Sequence, residues 1–153
     1  MKLILGLCAL LFLPFIGQSQ SDYPLILTDG YFQAATASQP VHLVHTPPYP
    51  SQWLMLDEPV HIWYILTLRQ GETNPCDEHS QEECTMRIHF ESLSDPTYSY
   101  NMDQNIRIYH GKLDISYGIP VARNTPLGPA KFVWTVQKDG KILFSHEIAV
   151  EVH

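Results

Sequence analysis

The sequence predicts an all-β fold, an immunoglobulin-like antiparallel β-sandwich of about seven or eight strands. Three observations predict it. Apolar and polar residues alternate at period two through most of the chain, which places apolar side chains on one face of an extended strand. The 12 prolines interrupt that alternation repeatedly, so the strands must be short. No segment carries the spacing of a long amphipathic helix. Many short strands separated by turn signals pack as two sheets rather than as one.

The elements follow in chain order. Met1-Lys2 and the apolar run Leu3 to Ile16 have the length and flanks of a secretory signal peptide. Gly17-Gln18-Ser19 sets small residues at −3 and −1, so cleavage is expected after Ser19. Cys8 follows Leu7 inside the apolar run, which does not fit a lipoprotein site. Residues 20–153 then form a single domain, long enough to bury a substantial core. Strands are expected near 30–36, 41–46, 59–69, 84–92, 105–109, 112–117, 130–138 and 141–152. Pro47-Pro48-Tyr49-Pro50 is an irregular extended link, because proline restricts both itself and the residue before it. In 59–69 one face is Val60, Ile62, Tyr64, Leu66 and Leu68. The other, His61, Trp63, Ile65 and Thr67, is also largely apolar, which suits a central strand or one that flanks a cavity. Residues 70–83 form a polar loop. The final two strands meet at Lys138-Asp139-Gly140-Lys141, where Asp-Gly suits a type I′ hairpin turn.

Charge and cysteine usage exclude several functions. Removal of Lys2 from 9 basic residues leaves 8 against 16 acidic ones, a net charge near −8. No basic run occurs, which argues against nucleic acid and anionic membrane surfaces as partners. No apolar stretch after the signal is long enough to span a bilayer. Cys76 and Cys84 remain after cleavage, an even number on an oxidising route, so a disulfide is expected. The alternative is zinc, since Cys76, His79, Cys84 and His89 have the spacing of a zinc knuckle with its ligand types permuted. The knuckle's glycine turns are absent, and no metal is expected. His42 and His45 lie three apart on an expected strand and should face opposite sides. Copper carriage by converging histidines with Met55 or Met86 has no supporting spacing. No G-x-S-x-G, H-E-x-x-H or phosphate-cradling glycine loop is present, so no enzyme activity, catalytic residue or cofactor is expected.

The closing segment "AKFVWTVQKDGKILFSHEIAVEVH" (130–153) carries a family pattern. Trp134 lies in the penultimate strand, Asp139 in the turn, and Leu143-Phe144-Ser145-His146-Glu147-Ile148-Ala149-Val150 in the last strand. This resembles the closing hairpin of the ML (lipid-recognition) domain family, notably its sterol- and phospholipid-transfer members. "VHLVHTPPYPSQWLMLDEPVHIWYILT" (41–67) is similar to that family's second strand, Pro-rich link and third strand, and "TPLGPAKFVW" (125–134) to its Pro-Gly lead into the penultimate strand. The similarity covers about half of the mature chain and leaves 70–124 unaligned. Two of the family's disulfides are missing. Ser145 stands at one bridge position, 20–75 holds no cysteine to pair with it, and the clip in the Pro-rich link is absent.

The resemblance implies a secreted or endolysosomal protein that holds a sterol, phospholipid or other apolar ligand between two sheets. Ile62, Tyr64, Leu66, Phe132, Trp134, Val136, Phe144, Ile148 and Val150 are the inward residues expected to line that space. The alternative is a secreted interaction or structural module with a closed core, working through its surface on a protein receptor.

Overall fold

A computed structural model describes residues 22–45, 47–50 and 52–153. The expected signal peptide, 1–19, lies outside the described residues. Nine strands occur in the order β1 (Leu25–Ala34), β2 (Val41–His42), β3 (Trp53–Leu54), β4 (Pro59–Leu68), β5 (Cys84–Ser92), β6 (Ser99–Ile106), β7 (Lys112–Pro120), β8 (Gly128–Lys138) and β9 (Lys141–Val152). They form a four-stranded sheet, β2-β1-β4-β7, and a five-stranded sheet, β3-β9-β8-β5-β6. All pairings are antiparallel except the short β3–β9 contact. The chain is therefore a β-sandwich, as its alternation predicts.

The core lies between the sheets and is built by the period-two faces. Val60, Ile62, Tyr64 and Leu66 of β4 are buried, while His61, Trp63, Ile65 and Thr67 face outward and keep partial exposure. β4 is central, between β1 and β7. Across the gap, Phe32 meets Phe132 at 5.8 Å between ring centroids. Tyr64 stacks on Trp134 at 6.0 Å and on Phe144 at 6.4 Å. Gly30 is opposite Tyr64, where a Cβ would come within 2.8 Å of the Trp63 carbonyl oxygen. Only glycine lets β1 lie that close to β4.

Four sequence expectations change. The strand expected at 105–109 is β6 at 99–106, because its polar run Ser-Tyr-Asn-Met-Asp-Gln-Asn hides the alternation. The strand expected at 41–46 stops at His42, and the chain turns, so the His42 and His45 rings lie 5.6 Å apart rather than on opposite faces. The first strand starts at Leu25, five residues earlier than expected. In β9 a register shift next to Gln137 breaks the alternation: Leu143 and Phe144 are both buried, and Ile142, which period two would place on the Phe144 face, is 38 % exposed. A bulge of this kind places two residues against one and turns the strand over locally. The turn behaves as predicted, with positive φ at Asp139 (49°) and Gly140 (76°).

The Cys76–Cys84 disulfide is formed, with both residues fully buried. Its loop docks on the β6–β7 connection: the Ile108 amide donates to the Cys76 carbonyl at 2.9 Å, and Asn74 Nδ2 donates to the Ile108 carbonyl at 2.9 Å. Closing so short a loop stabilises the fold by about 2–3 kcal/mol in the chain-entropy view. Urea unfolding with and without reductant should show a loss of that size. An unchanged midpoint would mean that loop docking alone holds the segment.

Candidate functional site

The nine residues expected to line a ligand space all face the layer between the sheets, and none is more than 3 % exposed. At its centre the facing rings touch, through the Phe32–Phe132, Tyr64–Trp134 and Tyr64–Phe144 contacts. Tyr64 Oη donates to Met86 Sδ at 2.9 Å, and burial raises the phenol's pKa. The indole Nε1 of Trp134 is buried without a hydrogen-bond partner. That is an uncommon state for an interior donor.

His146 of β9 also points inward and is buried. Its Nε2 lies 2.9 Å from Tyr49 Oη, and Tyr49 Oη donates to the Leu43 carbonyl at 2.9 Å. A hydroxyl has one proton, and a carbonyl can only accept, so His146 must be the donor through Nε2–H. The pair ties the Pro-rich link to the core. Burial lowers the His146 pKa to about 4, so the ring is neutral at neutral pH.

A recess opens at one edge of the sandwich, where β6 and β7 are the unpaired margins of the two sheets. It encloses about 660 Å³, within the size range of small-ligand sites. Its inner side is Ile106, Leu113 and Ile115, three buried residues of these two strands, each 6–8 % exposed. Gln104 explains why the groove exists. On β6 it shares the inward row with Tyr100, Met102 and Ile106, and it pairs with buried Met86, yet it is exposed. The opposite sheet does not reach over it. Across the gap Tyr117 is half-buried, and its phenol pKa is raised by desolvation.

The rim is polar. Arg107 is committed to the disulfide loop, donating to the Asp77 and Ser80 carbonyls and lying 3.5 Å from a Glu83 carboxylate oxygen. Lys112 is the exposed cation at the same end of the groove. Tyr109, 54 % exposed, completes that end. None of the nine expected residues lines this groove. The sequence signal that marks it is weak: a polar strand whose inward row ends in Met-x-Gln-x-Ile.

Among the described residues no group of three or more His, Cys, Asp or Glu side chains could hold a metal ion. Also among them, no helix is long and apolar enough to cross a membrane.

No protein-family model matches the chain, and no curated protein matches it. Among solved structures it is similar to the C-terminal domain of Wzt, with a TM-score of 0.50 and 13 % identity over 86 % of this chain and 74 % of that one. At that identity the likeness is one of fold. An alkylpurine DNA glycosylase, AlkC from Pseudomonas fluorescens, bound to DNA containing an abasic-site analogue, gives a TM-score of 0.43 and 13 % identity over 65 % of this chain and 27 % of that one. No argument rests on the second.

Proposed function

We propose that this chain is a non-enzymatic binding protein that takes an amphipathic small ligand, a lipid foremost, at the open β6–β7 edge of its sandwich. The observation that carries the reading is the exposed inward-facing Gln104 beside Ile106, Leu113 and Ile115. There the apolar layer comes nearest to solvent next to a polar rim. A ligand lays its apolar part on those three residues and its polar part toward Gln104 and Lys112. Desolvation drives the binding, at about 25 cal/mol per Å² of apolar area removed from water. No bond is made or broken.

Native mass spectrometry of protein purified from its own source tests this directly. A co-purifying lipid is expected, and it should be absent from Gln104→Trp, which fills the groove from an exposed position. A lipid retained by that variant, or a lipid-free wild type, counts against the site. A second reading has the sheets part further, so that the ligand reaches the unpaired Trp134 N–H. It predicts that a bound lipid survives Gln104→Trp and is lost from Trp134→Phe.

A further inference from the structure

The two sheets present very different outer faces. On the five-stranded sheet, β5, β6, β8 and β9 carry no Phe, Tyr or Trp outward, and the one outward aromatic ring among its described strands is Trp53 of the marginal β3. That face is laced with ions: Arg87 pairs with Asp103 at 2.7 Å, and Lys131 lies 3.4 Å from Glu91 and 3.5 Å from Glu147. This is how a solvated sheet face is ordinarily built.

The four-stranded sheet does the opposite. Register aligns His42 of β2, Tyr31 of β1, Trp63 of β4 and Ser116 of β7 in one row across all four strands. The Tyr31 and Trp63 rings are neighbours at 5.5 Å and 41°. Trp63 Nε1 donates to Asp114 Oδ1 at 2.9 Å, which holds the indole in place and leaves the second carboxylate oxygen at the surface. On the next row the His61 ring lies over Gly118, whose missing side chain leaves a shelf beside it. Ser116 and Gly118 thus form a low, bare strip along β7 next to the standing rings. Strands sit about 4.8 Å apart, so the row runs roughly 14 Å from β2 to β7.

We infer that this face is a carbohydrate-binding platform, with Trp63 and Tyr31 stacking on sugar rings and Asp114 and Ser116 meeting their hydroxyls. Fixed aromatic rings have lost little entropy still to lose on binding, and they offer flat apolar area beside polar atoms. The charge pattern argues against a polyanionic occupant. Asp29, Lys112 and Asp114 are the only Asp, Glu, Lys or Arg that β1, β2, β4 and β7 turn outward on this face, and the chain carries a net charge of −7. An uncharged polyhydroxylated chain meets that field without penalty, whereas a polyanion is repelled. The platform adjoins the β6–β7 groove along β7, where Asp114 and Ser116 also line the groove's rim, whereas Trp63 and Tyr31 belong to the platform alone and Gln104 to the groove alone.

Affinity electrophoresis in gels containing galactomannan, xyloglucan, laminarin or hydroxyethyl cellulose tests the inference. Wild type should be retarded by at least one of them. Trp63→Ala should weaken binding about tenfold or more, and Trp63→Phe should restore part of it. Ser116→Arg, an exposed change that covers the strip without touching the core, should also abolish retardation. Gln104→Trp should leave it intact, which separates this site from the lipid groove. Absence of wild-type retardation in every gel overturns the platform, as does retardation unchanged by both Trp63→Ala and Ser116→Arg.

Discussion

Replacing Trp134 by alanine should cost about 3–5 kcal/mol, the range for deleting a large buried aromatic side chain. Trp134 is fully buried, stacks on Tyr64 across the sheets and lies 5.2 Å from the His146 ring. Its loss opens a cavity where the two sheets touch, and neither sheet can collapse without breaking ladder hydrogen bonds. Domains of this kind have about 5–15 kcal/mol in total, so the variant should be close to unfolding at 37 °C. Trp134→Phe makes the informative comparison. It removes area but also removes an indole N–H that has no partner, and such an orphan costs about 1–3 kcal/mol. The phenylalanine variant should therefore lose less than about 2 kcal/mol in urea unfolding with an unchanged m-value. A loss as large as that of alanine would mean that the indole N–H is engaged.

Acid should weaken the fold through His146. Its ordinary value is 6.5, and burial lowers it to about 4 in the folded state. Above pH 6.5 neither state takes the proton, and the contribution is fully present. Between pH 6.5 and 4 only the unfolded chain is protonated, so stability falls as the pH falls. A gap of about 2.5 pH units corresponds to roughly 3 kcal/mol lost by pH 4. For a domain of this size that is about 10 °C in melting temperature. Glu82, Asp95 and Asp103, whose pKa values are lowered from 4.5 or 3.8, lose their contributions as the pH falls past those values, at the acid end of that window and below it. Thermal melts from pH 7.5 to 4 should show the decline, and His146→Gln should flatten it. Equal slopes in the two proteins would remove His146 as its source.

The two candidate sites were legible to different degrees. Trp63 stood out in the sequence because it sits on the second apolar face of β4, and the structure puts that face outside, beside Tyr31. Nothing in the sequence joins Tyr31, Trp63 and Ser116, since their row exists only through the β1–β4 and β4–β7 registers. The groove was harder still. Gln104 reads as an ordinary surface amide until β6 is seen at the sheet's margin, with its inward row uncovered. The nine residues expected around a ligand are buried on the inner faces of the sheets. Whether an inner face meets a ligand or another side chain depends on how close the sheets come.

The sequence by itself determined what is local. Alternation set which side chains turn inward on β4, β5 and β8, and Asp139-Gly140 set the last hairpin, because φ/ψ preference and period two act over a few residues. Two cysteines remaining after an expected signal peptide were enough to expect the bridge. The tertiary structure decided the rest: that β6 and β7 end their sheets side by side, that the bulge near Gln137 buries Leu143 and exposes Ile142, and that the outer face of β1, β4 and β7 differs in kind from that of β5, β6 and β8. Those outcomes depend on strand order and register, which arise from contacts between residues far apart in the chain. No short stretch of sequence encodes them.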